Sequence, residues 1–560
     1  MTKQADICII GSGAGGAPVA YTLAQAGFKV IVLEKGPLYS ENDFKKDEIA
    51  VSRRSLYTPK LEDEQHVIET FDEDGEIVRE RGEDSGWNFW NGSMVGGSSN
   101  LMSGYFHRMK PNDFRLKTVF GEVEGANVVD WPIDYETMEP YYTKVEEVVG
   151  VSGKMVEHPY RDERSTADYP YPQTWEHPIA SWIDESCTRL GYYSMPTPRA
   201  IIPYDALERR GCSYSNLCGS YGCATGGKSH AKSALLDKAV KSGNCEILPD
   251  AFVYKIESID DKVSGVHYYD KSGAGHSIEA KIYVLAAQAI ESSRLLLNSK
   301  SADFPDGLAN NSGLVGKNLI FSAGGSGSGR LNFKNLPKER QESLLLRGAF
   351  VNRSLQDWYE YDDKKEHLKG GTIDFLFEHA NAIPRALDQV YDDNGDLVWG
   401  KPLSKSLHHA FERSRVMTFE VFNDWMPTDN CFVSIDDNVK DKWGMPVGKV
   451  RLYGHPQDLK VGHYLADKAV KVLEGLGCEG ITSNISDSPP PNLVAGGCRF
   501  GNDPKTSVLD VNCRAHEIAN LYVTDASFMP TGGSVPYTWT IYANAFRVAD
   551  KILEELRKDV

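Results

Sequence analysis

The sequence predicts a two-domain α/β fold, a doubly wound sheet joined to a second, mixed-sheet layer. Three observations carry that prediction. Short apolar runs near residues 6, 30, 250, 283 and 521 read as buried strands of one sheet. The first run leads directly through a glycine turn into a helical pattern, the start of a strand–turn–helix unit. Finally, 560 residues exceed what one hydrophobic core usually organises, so two closely associated domains are expected.

The composition is that of an ordinary folded protein, with 41% hydrophobic and 25% charged residues and no repeat or low-complexity tract. A formal charge of −18 argues against nucleic acid or an anionic membrane surface as partner, because both need clustered Lys and Arg. No run approaches the roughly 20 apolar residues of a membrane span. Asp6 lies immediately before the first strand, so a cytoplasmic location without a signal peptide is the expectation from this chain alone. Ten cysteines are too sparse for a disulfide scaffold, and Cys8, Cys187 and Cys245 read as buried free thiols.

At the start, residues 6–10 (Asp-Ile-Cys-Ile-Ile) form the first strand, Gly11-Ser12-Gly13-Ala14-Gly15-Gly16 the turn, and a helix continues through Ala26 to a stop at Gly27. Gly11 permits the tight turn, Gly13 lets backbone approach a pyrophosphate, with Ala14 beside it, and Gly16 allows close helix packing. The phosphates then meet the positive end of the helix. A second strand over residues 29–33 ends in Glu34, about 20 residues on, where a carboxylate accepts both hydroxyls of an adenosine ribose. This is a Rossmann-like dinucleotide site, and the segment by itself leaves FAD and NAD as alternatives.

Three further segments decide between them. Val95-Gly96-Gly97-Ser98-Ser99-Asn100 is a glycine-serine loop. Residues 283–291 (Tyr-Val-Leu-Ala-Ala-Gln-Ala-Ile-Glu) form a strand leading into a helix, with Ala287 at the turn. Residues 520–527 form a returning strand carrying Asp525, followed by Pro530-Thr531-Gly532-Gly533 and a helix over 540–556. Together, in this order and spacing, they resemble the glucose-methanol-choline (GMC) family of FAD-dependent oxidoreductases along nearly the whole chain. Gln288 and Ser293 depart from the glycine and proline usual in the second signature. The resemblance implies FAD, held by Gly11, Gly13, Ala14, Gly16, Glu34, Gly96, Gly97, Ser98, Asn100, Ala287 and Asp525. The implied FAD-binding domain is discontinuous (1–45, 85–155, 205–312 and 486–560). A lid or loop segment occupies 46–84, and a substrate-binding domain 156–204 and 313–485, with a strand over 416–421 and a helix near 457–475.

Cys212, Cys218 and Cys223 fall within twelve positions, separated by five and four residues, on a glycine-containing loop. Three thiolates at that spacing can converge on a soft metal, and the spacing is not the C-x-x-C pair of structural zinc. A disulfide plus a free thiol, or thiols without function, stay open. The segment resembles the cysteine loop of the bacterial GMC subgroup that includes gluconate, fructose and FAD-glucose dehydrogenases, which implies a [3Fe-4S] cluster. A cluster passes one electron at a time, so the resemblance implies a dehydrogenase oxidising a hydroxyl of a sugar, polyol or other alcohol, with a cytochrome or quinone as acceptor. It implies as partners a small subunit with a twin-arginine signal and a cytochrome c subunit, and a periplasmic location if the chain is exported with them.

The catalytic segment departs from that family. Where an H-x-x-G motif usually supplies the base that takes the hydroxyl proton, this chain reads Asn492-Leu493-Val494-Ala495-Gly496, with Leu493 at the histidine position. On the later turn, Val535 stands for the second histidine or asparagine. Asn492 and Tyr537 are the nearest substitutes in sequence, although an amide is a poor base and a tyrosine ordinarily titrates near 10. Among fourteen histidines, His107 and His455 could approach by folding, a structural role being the plainer expectation for each. The alternatives are altered chemistry on an apolar or activated substrate, and a noncatalytic flavin electron carrier.

Of the remaining features, Trp87 to Asn91 is expected to wall a pocket or pack against the lid, and Pro489-Pro490-Pro491 to make a stiff crossing. Glu62-Asp63-Glu64 reads as a solvated loop and Asp72 to Glu76 as a hairpin turn, with a docking face for a basic cytochrome as the alternative.

Overall fold

The structure, a computed structural model, describes residues 2–56, 66–85, 87, 91–215, 217–322, 324–363, 366–392, 394–486, 488–489 and 493–558. Its larger sheet is organised by the apolar run Ile7 to Ile10, which is buried on both faces, as parallel strands between helical layers must be. The strand Thr2–Ile10 pairs in parallel with Val30–Leu33 on one side and Gly275–Leu285 on the other. Cys245–Leu248 extends the parallel set beyond Val30–Leu33, and Leu521–Val523 extends it beyond the last residues of Gly275–Leu285. The single strand expected near residue 250 is two. Asp250, at φ 53°, breaks the run, and Phe252–Ile259 crosses to the other flank. There it forms an antiparallel meander with Lys262–Tyr269 and the first residues of Gly275–Leu285.

The helix Gly16–Gln25 packs on this sheet with Ala17, Val19, Ala20, Leu23 and Ala24 buried. It ends as the sequence predicts, with Gly27 at φ 92°. The C-terminal helix Thr538–Lys558 lies against it, and its buried face includes Trp539, Tyr542, Phe546 and Val548.

A second core lies under a six-stranded sheet ordered Glu479–Asn484, Gly325–Asn332, Ser414–Asn423, Gly371–Phe377, Arg353–Leu355 and Ser194–Pro196. All its pairings are antiparallel. Alternation along Ser414–Asn423 sends Met417, Phe419 and Val421 into that core. There they meet Val461, Leu465, Ala469 and Val472 of the helix Pro456–Gly475. Parallel and antiparallel pairings mix in a separate four-stranded sheet, where the hairpin Val67–Phe71 and Ile77–Arg81 adds to Pro446–Arg451 and Phe432–Lys440. Part of the segment expected as a lid or loop over 46–84 is therefore sheet. Its turn is set by Asp72, whose carboxylate accepts from the Asp74 and Glu76 amides. Glu62, Asp63 and Glu64 lie outside the described residues.

Candidate active site

A cavity of about 540 Å³ runs from the glycine turn of the first sheet to the polar face of the six-stranded sheet, within the usual range of ligand pockets. Its first wall is backbone. Gly11 sits at φ 98°, and a Cβ there would come within 2.1 Å of the Ala286 carbonyl. Gly13 differs: a Cβ on it would meet nothing nearer than Gly97 Cα at 3.9 Å, so the space before it is open cavity. The helix that follows has no side-chain cap and no acid in its first turn. Its positive end is thus left for an anion. Gly16 stands behind this wall, packed on the Gly11 carbonyl.

Glu34 is 6% exposed and lines the cavity. Its carboxylate accepts from the Ser12 hydroxyl at 2.6 Å, the Ser12 amide at 3.2 Å and the Gly36 amide at 3.0 Å, while burial raises its pKa. Ser12, an unassigned position inside the glycine fingerprint, also accepts the Gly96 amide at 2.9 Å and so ties the turn to the glycine-serine loop. Gly97 and Ser98 face the cavity. Gly96 and Asn100 do not: the Asn100 amide donates to the carbonyls of Val95 and Gly97, which shapes the loop from behind. Ala287 and Asp525 complete the wall. Asp525 accepts the Gln288 amide at 3.1 Å, the Ser527 amide at 2.9 Å and the hydroxyls of Ser292 and Ser527.

Asn91 also lines the cavity, whereas Trp87 donates to the Pro489 carbonyl at 2.9 Å and packs edge-on against Phe321. The residues between them, and Pro490 and Pro491, lie outside the described residues.

At the far end, Leu493 faces the cavity at φ 53°, beside Val494, Pro536, Tyr537 and Thr538. Asn492 lies outside the described residues. Val535, at the position of the family's second histidine or asparagine, turns into the core, and its carbonyl accepts the Ser322 hydroxyl. Tyr537 is fully buried, and its hydroxyl has no hydrogen-bond partner among the described residues. Burial and the nearby Asp424 charge hold its pKa well above the usual value, so it is a phenol, not a base. The turn before it is pinned by Lys369, which binds the Ser534 hydroxyl at 2.8 Å and Asp113 at 2.7 Å.

Among the ionisable side chains that the sequence left unmarked, Glu420 and His379 also line this end. Alternation places Glu420 on the face of Ser414–Asn423 opposite the second core, a signal legible once that strand is known. His379 is a neutral imidazole, lowered to about 3 by burial and by Arg53 and Lys228. His107 and His455 are structural. The first is buried on Asp374 at 3.1 Å, and the second caps the helix Pro456–Gly475 through the Gln457 amide.

Cys212, Cys218 and Cys223 come within electrostatic reach of one another and of the buried Lys228. Lys228 donates to the carbonyls of Asn100 and Tyr221, both at 3.1 Å, which sets the cysteine loop directly behind the glycine-serine loop. Burial and the Cys218 charge push Cys212 up to about 12, and burial raises Cys218. At Cys223, burial is outweighed by the Thr225 hydroxyl, the Lys228 amide and the Lys228 charge, and the pKa falls. Among the described residues, however, no three His, Cys, Asp or Glu side chains stand in position to hold a metal ion. This arrangement does not fit a preformed cluster site.

Residues 172–321 and 427–545 match the N- and C-terminal models of the GMC oxidoreductase family, and residues 9–46 match an NAD(P)-binding Rossmann-like domain. The chain is similar to 2-methyl-1,2-propanediol dehydrogenase of Mycolicibacterium austroafricanum, 31% identical over 559 residues covering 98% of this chain and 95% of that one. It is similar to the fructose dehydrogenase large subunit of Gluconobacter japonicus, 26% identical over 100% of this chain and 99% of that one. Its fold is that of pyridoxine 4-oxidase from Mesorbium loti, with a TM-score of 0.61 at 16% identity, covering 98% and 99% of the two chains.

Proposed function

The chain belongs to the GMC oxidoreductase family of FAD-dependent enzymes acting on alcohol groups, and from that premise we propose that it is a dehydrogenase oxidising a hydroxyl of a polyol, sugar or related alcohol. The observation that carries the reading is the continuity of one cavity from the glycine turn to the polar face of the six-stranded sheet. The donor set fits FAD. The uncapped helix end beside Gly13 would hold the pyrophosphate, and Glu34 the ribose hydroxyls. Ala287, Gln288 and Asp525 would line the nucleotide's path. When bound, FAD supplies the acceptor for the substrate's hydride.

The protein's own residues do the rest. Leu493, Val494, Pro536 and Phe422 wall the far end with apolar surface, which excludes water and strengthens whatever electrostatic contacts the substrate makes. Tyr537 can donate a hydrogen bond there. A second, polar cavity of about 700 Å³ shares Ser326 with the first and is lined by Ser328, Thr418, Thr482 and Asn484. Its hydroxyls and amides supply space and partners for the remainder of a hydroxylated substrate. The relatives named for 2-methyl-1,2-propanediol and fructose favour the same substrate class.

The anaerobic absorbance of the flavin tests this reading. Bleaching by at least one polyol, sugar or alcohol is expected. A flavin that no alcohol bleaches, but that dithionite does, would transfer the reading to altered chemistry on an apolar substrate, which the Leu493 wall favours. Slow reoxidation in air after bleaching is the result expected of a dehydrogenase.

The electron exit is a separate proposal. The gathering of three thiols around Lys228, behind the loop that lines the cavity, favours electron transfer through that side to a cytochrome or quinone. A [3Fe-4S] cluster there, a small subunit with a twin-arginine signal and export to the periplasm belong to the same proposal. No step is assigned to a cluster, because the thiols are not in coordinating positions. Among the described residues, no helix is long and apolar enough to cross a membrane.

A further inference from the structure

We propose that Glu420 is the catalytic base, taking the substrate hydroxyl proton that the histidine replaced by Leu493 would otherwise take. The inference rests on the alcohol-oxidising reading above and adds to it a residue outside every recognised motif.

Geometry carries the argument. Glu420 lies on the strand Ser414–Asn423, directly opposite Ser326 on one neighbouring strand and Asp374 on the other. Its side chain lines the cavity together with Arg53, Tyr105, His379 and Phe422. Among the described residues, no hydrogen bond or ion pair is made to its carboxylate. Asp374 beside it is fully buried and satisfied by His107, at 3.1 and 3.2 Å. Of two adjacent carboxylates, one is thus structural and the other is left open to the cavity. Glu420 is part-exposed, its carboxylate opening onto the cavity, and a packing role alone would be met more cheaply there by an apolar residue.

The charges facing Glu420 suit a proton acceptor at neutral pH. Burial first, and then the Asp374 charge, raise its pKa, while Arg53 and Arg199 lower it, for a result of about 7. Tyr105 stays a phenol, and His379 is held too acidic to compete. The other candidates fail on chemistry: Leu493 has no basic atom and Tyr537 is held protonated. A carboxylate titrating near working pH combines the correct protonation state with a useful driving force.

The step balances without any further reactant. The alcohol O–H proton passes to a Glu420 carboxylate oxygen, while FAD, when bound, would accept the carbinol hydrogen as hydride and leave a carbonyl. Glu420 then returns its proton to water.

The test is Glu420→Gln, which keeps shape and volume but removes basicity. With an alcohol that bleaches the wild-type flavin, the variant is expected to lose on the order of 10²–10⁴-fold in the anaerobic reduction rate. Its FAD content should be unchanged, and the acid limb of the rate profile near pH 7 should be absent. An independent reading comes from infrared difference titration of the resting protein, where a protonated carboxyl band should vanish as pH rises through about 7 in wild type and be missing from the variant. In Asp374→Asn the limb should move to lower pH, because one of the charges that raises the Glu420 pKa is gone. Reduction of Glu420→Gln within about threefold of wild type, or no carboxyl titrating near 7, would overturn the assignment while alcohol oxidation stood. A wild-type flavin that no alcohol bleaches would overturn both.

Discussion

The Gln288 amide donates to Asp525 at 3.1 Å, joining the turn after Gly275–Leu285 to the returning strand and closing the nucleotide end of the cavity. Gln288 holds this position at φ 81°, a backbone region glycine enters freely, and its side chain compensates by capping the next helix through the Ile290 amide at 2.8 Å. Gln288→Ala removes the cap and keeps the strain, so a loss of about 0.5–2 kcal/mol is expected in denaturant unfolding. Gln288→Gly removes both and should fall closer to wild type. An Ala variant as stable as wild type would show that the cap contributes nothing.

Lys369 joins Asp113 and Ser534 in a site where the cation and the carboxylate are both nearly inaccessible. Removing one partner of such a pair strands the other charge, at a cost of about 3–5 kcal/mol. Lys369→Met should therefore lower the unfolding midpoint sharply. It should also push Asp424, already raised to about 6 by burial, further up, because Lys369 is a charge holding it down. Calorimetry of the two proteins at pH 7 checks the first point.

Glu34 organises Ser12 and Gly36 in addition to facing the cavity. Glu34→Ala should weaken FAD binding about 10- to 100-fold, corresponding to hydrogen bonds to a charged group worth about 1.5–3 kcal/mol. Titrating apoprotein with FAD by flavin fluorescence measures it, and unchanged affinity would remove Glu34 from the site.

Glu420 should also mark the pH dependence of stability. Its folded pKa is raised, so the folded state binds more protons than the unfolded state between about 4.5 and about 7. Its stabilising contribution is complete below the lower value and is lost as pH rises through the upper one. The difference in melting temperature between Glu420→Gln and wild type should shift in favour of the variant from pH 5 to pH 8. A constant difference would mean that the carboxyl titrates as it does in the unfolded chain.

The cysteine loop makes its own prediction. Because the three thiols are not in coordinating positions, iron in protein purified without oxygen, lost in Cys218→Ser while FAD is kept, is the result that would put a cluster on the electron route. Iron-free wild type with a full FAD complement would remove the cluster from the electron route and leave three free thiols around Lys228.

The elements of the nucleotide half could be read from the sequence because they depend on short-range chemistry. An apolar run buried on both faces, glycines where backbone must pass within van der Waals contact, and an acid at the end of the next strand stay within about thirty residues of one another. The run at residues 6–10 and the helix ending at Gly27 needed no distant information.

What only the tertiary structure decided depends on strands far apart in sequence meeting in register. The split of the strand near residue 250 turns on which flank of the sheet is vacant after Cys245–Leu248 has paired. Val535 is next to a cavity-lining residue in sequence, yet lies in the core because the turn directs Pro536 and Tyr537 outward. Glu420 belongs to no motif. Its environment is built by Asp374 from one strand, Ser326 from another, Arg53 near the start of the chain and Arg199 between the two halves. A base is defined by solvation and neighbouring charge, and those are set by burial, which no local pattern records.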